Sequence, residues 1–276
     1  MTFEPEQLGQ SRTDLALTLR ELRKRAGLTG DRLAERCNMS QSQISKFETG
    51  KRTPRLVDVE RILRALDAPA EIAAEIKALA RIANTEWQDK RSSWRRGMEK
   101  RQTELTFLER EATELRYFLP AMITGLLATP EYARASLSHT PGDSSKTVAR
   151  KLERQAVLYD TSKSFTFILT EQAIRWAIVP APAMAVQIDR LASLSYLPNL
   201  RIGVIPMGTV IARGPMNTFT VYDNRLATVE NLTGRMVFRD SRDIAEHLAV
   251  FSYFEQHARF DAEARALLQG WAESCR

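Results

Sequence analysis

The chain has 276 residues, 43% hydrophobic, 27% charged and 8% aromatic, with a net charge of +6. At roughly 100–200 residues per domain this length suggests two domains or one large one, with enough apolar content for packed cores, which excludes wholesale disorder. No stretch approaches the ~18 uninterrupted apolar residues of a membrane span, and the opening MTFEPEQLGQSRTD carries acids where a secretory signal is basic and then apolar, so the expected location is cytoplasmic.

Cys37 and Cys275 are too few and too far apart for a disulfide framework or a cysteine zinc site. His139, His247 and His257 lack the HExxH spacing, so neither a metal nor a cofactor is expected. The charge is unevenly spread. Residues 1–101 hold 21 Lys/Arg against 15 Asp/Glu, and residues 102–276 hold 19 of each. The whole positive excess lies in the first third, the electrostatic footprint of a polyanion binder.

In chain order, Leu15, Leu19, Leu22 and Ala26 recur at helical spacing before a stop at Gly27. Thr29 caps a second short helix carrying Leu33 and Ala34. Ser40, with Gln43 three residues later, forms a capping box that opens a third helix, Gln41 to Glu48, closed by Gly50. Thr53-Pro54 opens a fourth helix, since proline suits the first helical position, with Leu56, Val59, Ile62, Leu63 and Leu66 inward. Pro69 starts a fifth, with Ile72, Ile76 and Leu79 inward.

Residues 84–103 lose this pattern and gain charge. They read as a linker or a hydrophilic connecting helix, and Arg91, Arg95, Arg96, Lys100 and Arg101 either touch DNA phosphate or are merely solvated. Helices are then expected from Glu104 to Phe118, Glu131 to Leu137 and Ser145 to Tyr159. A strand follows at 164–170, a helix from Ala183 to Tyr196, and a second strand at 200–206. A meander of Asn217 to Tyr222, Leu226 to Glu230 and Arg235 to Arg239 is punctuated by turns at Asp223-Asn224 and Thr233-Gly234. Asp240 to His257 and Asp261 to Glu273 close the chain as helices. The expected fold class is α+β and multidomain: an all-α five-helix domain over 1–83, a charged connection over 84–103, and a mixed α/β domain over 104–276.

Two short helices joined by a tight turn, the second polar on one face, describe a helix-turn-helix. At about 100° per residue, Ile44 and Phe47 of the third helix mark a buried side, and Ser42, Ser45, Lys46 and Thr49 lie opposite, with Gln41 at the flank. A small polar face with one lysine suits the major groove. Gln reads adenine N6/N7, Lys reads guanine O6/N7, and Ser serves several base edges. Lys51, Arg52 and Arg55 follow at once, placed for phosphate, as are the amides of the Ser40-capped helix start.

The stretch 17–54 resembles the XRE family of phage-repressor-like helix-turn-helix regulators. The matching pieces are Arg23, Gly27, Leu28 and Thr29; Leu33-Ala34; Ser40, Ile44 and Ser45; and Glu48, Gly50, Lys51 and Pro54. The resemblance implies double-stranded DNA as partner, a λ-repressor-like fold, base contacts from Gln41, Ser42 and Lys46 with Ser45 beside them, and a structural Arg23–Glu48 ion pair. Where that family often places a backbone-contacting Gln, this chain has Gly30.

Segments 118–137, 148–159, 165–178, 187–194, 199–209 and 214–224 resemble, in order, the C-terminal domain found behind XRE modules in antitoxin-like regulators of toxin–antitoxin systems. That implies a domain answering to a small partner protein encoded nearby.

No Ser-His-Asp order, P-loop or G-x-G-x-x-G occurs, so an enzyme is not expected. Arg154, Glu171 and Arg175 form either a polar cluster at the end of strand 164–170 or an ion-pair network. Asp240, Asp243 and Glu246 read as acids favoured at a helix N-terminus. Loop 207–218, with Arg213, either lines a ligand or peptide groove or is a plain surface loop. Tyr159, Trp176 and Phe219 read as core rather than an aromatic cage. Arg154, Glu171, Arg175, Trp176, Arg213 and Phe219 are therefore the candidate partner or ligand residues. The expected whole is a homodimeric transcriptional regulator controlled by a small protein, with a small-molecule-responsive repressor as the alternative.

Overall fold

A computed structural model describes residues 6–89, 98–140, 142–231 and 234–276. They fall into two units. One runs through Trp87 and includes Met236–Ile244; the other comprises Gln88–Arg235 and Ala245–Arg276.

The first unit is helical: α1 (Glu6–Arg25), α2 (Gly30–Cys37), α3 (Gln41–Glu48), α4 (Leu56–Ala65) and α5 (Ala70–Asn84). Its boundaries are local chemistry. The Thr29 hydroxyl accepts from the Arg32 amide at 3.2 Å and caps α2. Gly27 and Gly50, at φ +67° and +69°, take the left-handed conformation that ends a helix without the steric cost of a Cβ. Leu15, Leu19, Leu33, Ile44, Phe47, Val59, Ile62 and Ile76 form one core. Asn84 is buried against it, its amide donating to the carbonyls of Pro54 and Ala80 at 2.9 and 2.8 Å.

Three expectations shift here. Helix α4 opens two residues after Pro54: Arg55 is the cap residue, its amide donating to Asp58 Oδ2 at 3.2 Å, and Pro54 is spent on the buried turn that holds Asn84. Ile72 faces outward at 38% exposure, because Ala73, Ile76, Ala80 and Ala83 bring α5 close enough to fill that side. Ala26 lies past the end of α1 and is exposed.

The second unit is mixed α/β. Its elements are α6 (Met98–Glu111), β2 (Glu114–Leu119), α7 (Pro130–Ala135), α8 (Ser145–Arg154), a 3₁₀ turn (Gln155–Tyr159), β3 (Ser164–Thr170), α9 (Glu171–Arg175), α10 (Ala181–Leu194), β4 (Leu200–Ile205), β5 (Thr218–Tyr222), β6 (Leu226–Glu230), α11 (Ser241–Glu255) and α12 (Asp261–Glu273). The strand order is β6-β5-β2-β3-β4. β2, β3 and β4 run parallel, joined by helical crossovers, while β5 and β6 add antiparallel. Strands β1 (Thr85–Asp89) and β7 (Gly234–Phe238), like α11 with its first residues Ser241–Ile244, straddle the division between the units in sequence.

The main correction is β2. The chain leaves the helix at Glu111, and Glu114–Leu119 is a strand where a helix to Phe118 was expected. β2 is hydrogen-bonded to β3 and β5; Glu114 and Arg116 alternate with Leu115 and Tyr117, but the buried run Tyr117-Phe118-Leu119 ends the alternation after four residues, too few to separate the strand from the helix before it. Helix α8 likewise gives way to the 3₁₀ turn after Arg154. The basic cluster Arg91, Arg95 and Arg96, the side chains of Lys100 and Arg101, and Thr233 of the expected Thr233-Gly234 turn lie outside the described residues.

Candidate functional site

In the first unit the eight residues of α3 separate into two faces. Ile44 and Phe47 are 2% and 1% exposed and anchor the helix in the core. Gln41, Ser42, Ser45, Lys46 and Thr49 are all exposed. The capping box is complete: the Gln43 amide donates to Ser40 Oγ at 3.2 Å, and the Ser40 amide to Gln43 Oε1 at 3.1 Å. Gln43 is thereby spent on structure, which leaves the neighbouring Gln41 and Ser42 to face outward. Thr49 donates its hydroxyl to the Ser45 carbonyl at 2.7 Å, so it presents only acceptor lone pairs.

Cations flank this face. Lys51, Arg52 and Arg55 are exposed. The Arg52 guanidinium lies 5.8 Å from the Phe47 ring centroid, so Arg52 packs on the core as well as offering charge. A Cβ built on Gly30 would come 3.7 Å from Gln41 Nε2. The missing side chain at the start of α2 therefore leaves room beside Gln41. Arg23 also donates through Nη1 to the Leu28 carbonyl at 2.8 Å, locking the turn that precedes α2.

In the second unit the six candidate residues do not form one site. Arg154 does not join Glu171. Its side chain is 7% exposed and pairs with Glu109 of α6, Nε to Oε2 at 2.9 Å, while Nη1 donates to Gln102. Tyr117 donates to the same Glu109 at 3.4 Å. Burial first, and then the Glu109 charge, push the Tyr117 hydroxyl well above its ordinary value. This is a structural network, the plainer of the two readings.

Glu171 is different. It accepts from Arg175 Nη1 at 2.7 Å through one oxygen and from the Met207 amide at 2.9 Å through the other, so it tethers the start of loop 206–217. Trp176 and Tyr159 are 59% and 60% exposed, against the expectation that they sit in a core: Tyr159 ends the 3₁₀ turn and Trp176 is the residue just past α9. Phe219 is buried at 5%. Asp240 is 1% exposed and accepts from the Arg242 amide at 2.9 Å, the expected acid at a helix start.

Arg213 and Phe219 meet at a cavity of about 170 Å³. Phe118, Val229, Val250 and Phe254 supply the apolar remainder, and Met216, Asn217, Glu246 and His247 stand around it. Sequence reading pointed to the loop but missed Phe118, which sits in the strand mistaken for helix. It also missed the wall from α11, whose residues look like any amphipathic helix. Among the described residues no helix is long and apolar enough to cross a membrane.

Residues 102–270 match the family described as a domain of unknown function, DUF5753. The chain belongs to that family. Residues 14–76 match a helix-turn-helix domain, the span that holds α2, α3 and the Arg23–Glu48 pair. The N-terminal unit is thus a helix-turn-helix domain and the chain a DNA-binding regulator by type. No curated protein matches it.

Among solved structures, the phospholipase D family member Nuc from Salmonella typhimurium is 7% identical, with a TM-score of 0.35, covering 58% of this chain and 90% of that one. NucT from Helicobacter pylori is 9% identical, with a TM-score of 0.37 and coverage of 63% and 96%. TrmBL2, an archaeal chromatin protein, is 10% identical, with a TM-score of 0.33 and coverage of 73% and 64%. Likenesses this slight carry no argument about function.

Proposed function

We propose that this protein is an XRE-type regulator that reads operator DNA with α3 and binds an effector with its C-terminal unit, rather than turning a substrate over. The observation that supports it is the division of α3: two buried anchors against four exposed polar residues, continued by exposed Thr49 at the C-cap and followed by Lys51, Arg52 and Arg55. Gln41, Ser42, Ser45 and Lys46 are assigned to base edges. Ser40 at the helix start, Thr49, Lys51, Arg52 and Arg55 are assigned to phosphate. One such module buries little on DNA, so the reading includes a cytoplasmic homodimer on two half-sites about 34 Å apart. Selection of bound duplexes from a random pool with the full chain tests it. A two-half-site motif is expected, and enrichment of no motif overturns the reading.

For control of that binding, the antitoxin-like resemblance supports a small partner protein, as does the apolar surface of Met207, Val210 and Met216, which are 71%, 95% and 87% exposed. Affinity capture of the tagged full chain from its own cells, followed by mass spectrometry, is expected to recover a stoichiometric small protein; recovery of the chain alone overturns this. A second reading, a small-molecule-responsive repressor, is favoured by the cavity beneath loop 206–217.

A further inference from the structure

The cavity has a floor and a mouth of different chemistry. Its floor is Phe118 of β2, Phe219 of β5, Val229 of β6 and Phe254 of α11, each no more than 7% exposed. Phe118 stacks on Phe254 with centroids 4.3 Å apart and lies 5.2 Å from Phe219, so the rings brace one another as fixed walls. Floor and mouth together enclose about 170 Å³, close to the ~150 Å³ cavity that accepts a single benzene ring.

The mouth is charged with both signs. Arg213 comes from the loop and Glu246 from α11. Both are exposed, and neither has an ion-pair partner among the described residues. His247, beside Glu246, meets the Phe219 ring edge-on at 5.5 Å and closes that wall. The loop itself spans about a dozen residues without helix or strand, a length at which loops commonly carry function. It is tied at its start by Glu171 and the Thr209–Pro206 bond. Met216, 87% exposed, is an adaptable apolar side chain at the opening.

An unpaired cation and an unpaired anion around an apolar hole the size of one ring complement a zwitterion bearing one large apolar group. We propose that this cavity binds a free aromatic or large aliphatic amino acid, its side chain among Phe118, Phe219 and Phe254, its carboxylate at Arg213 and its ammonium at Glu246. The assignment rests on the second reading above, in which the C-terminal unit senses a small molecule. A carboxylate lacking the amine satisfies only Arg213, and an amine lacking the carboxylate only Glu246.

Calorimetric titration of the full chain with L-phenylalanine, phenylacetate, phenethylamine and benzyl alcohol tests it. L-Phenylalanine is expected to saturate one site per chain, with each of the other three at least about tenfold weaker, or 1.4 kcal/mol. Arg213→Ala should weaken L-phenylalanine about tenfold and leave phenethylamine unchanged, and Val250→Trp, which fills the cavity from α11, should abolish both. Val250 is half-buried; should that variant misfold, Arg213→Ala, on an exposed loop, still decides the matter. Equal affinity for L-phenylalanine and benzyl alcohol overturns the zwitterion while leaving a small-molecule pocket. No saturation by any of the four up to about 10 mM overturns the pocket reading with it. Binding of L-phenylalanine that Arg213→Ala does not weaken places the ligand elsewhere and overturns the proposal.

Discussion

Arg23 of α1 and Glu48 at the end of α3 meet in a two-point ion pair, Nε to Oε1 at 2.6 Å and Nη2 to Oε2 at 2.7 Å, with side chains only 15% and 10% exposed. The planar guanidinium fork matches the carboxylate edge, and the pair sets α3 against α1 without using a residue of the outward face. Removing one partner strands a nearly buried charge. Arg23→Ala and Glu48→Ala should each cost on the order of 2–3 kcal/mol, below the full penalty for a deeply buried pair because some solvent remains. Arg23→Lys should recover little, since an ammonium cannot span both oxygens. Urea melts of the three variants check this, and a loss under about 0.5 kcal/mol would make the pair a surface ornament.

The DNA reading separates two kinds of cation. Lys46→Ala should weaken binding to a selected operator by about 1–3 kcal/mol and relax preference at one base pair, because it removes a base-edge contact. Lys51→Ala should weaken all sequences alike and flatten the salt slope by about one unit, because it removes a phosphate contact. Arg52→Ala is the less clean probe: its guanidinium also packs over Phe47, so its loss mixes DNA contact with stability. Binding titrations at several salt concentrations, on operator and scrambled duplex, distinguish the outcomes.

The DNA-binding unit is legible because its signals are local. Thr29, Ser40 with Gln43, Gly27 and Gly50 each fix a boundary within four residues, and Ile44 with Phe47 fixes the rotation of α3. The second site is not legible in that way. Phe118, Phe219, Val229 and Phe254 come from three strands and a helix, and they converge only after β2 is inserted between β3 and β5. Periodicity missed β2, because its alternation lasts only from Glu114 to Tyr117 before the continuous buried run Tyr117-Phe118-Leu119. Arg154 misled for a related reason: its partner, Glu109, lies 45 positions away on α6.

Asp223 offers a pH test. It sits at φ +50° in the turn after β5, and its Oδ1 accepts from the Thr113 amide and hydroxyl, both at 3.0 Å, and from the Glu114 amide at 2.9 Å. Burial raises its pKa, but the hydrogen bonds from Glu114 and Thr113, with the Arg225 charge, outweigh that and hold the carboxyl below its usual value. A folded value below the unfolded ~3.9 means stability that is present above about pH 4 and fades as pH falls through the folded value. Asp223→Asn keeps an acceptor and tolerates the left-handed backbone, so it should cost about 1 kcal/mol at pH 7, a penalty that shrinks as pH falls through the folded value. Asp223→Ala should cost about 1–2 kcal/mol more, from backbone strain, at both pH values. Denaturation at pH 7 and pH 3 reads the difference; an Asn penalty independent of pH would show that charge plays no part.

Gly203 in β4 is fixed by what stands over it. A Cβ at this position would lie 2.5 Å from Phe260 Cζ, 2.6 Å from Phe260 Cε1 and 3.1 Å from the Ala258 Cβ. The Phe260 ring has little freedom to yield. Arg201, two residues back along the same strand, holds its guanidinium 4.4 Å from the ring centroid, and Val204 exchanges backbone hydrogen bonds with Arg259 at 2.8 and 2.7 Å. The ring is thus pinned at one side by a cation and through its neighbour Arg259 by a backbone bridge to β4. Gly203→Ala should therefore destabilise the protein by about 1–3 kcal/mol through overpacking, although alanine is the better residue for an ordinary position. Phe260→Leu should lose ring contact yet relieve that clash, so the double variant Gly203→Ala, Phe260→Leu should be more stable than the two single penalties added together. A thermodynamic cycle of the four proteins measures this coupling, and strict additivity would mean that the ring moves aside freely and the glycine is not required by its neighbour.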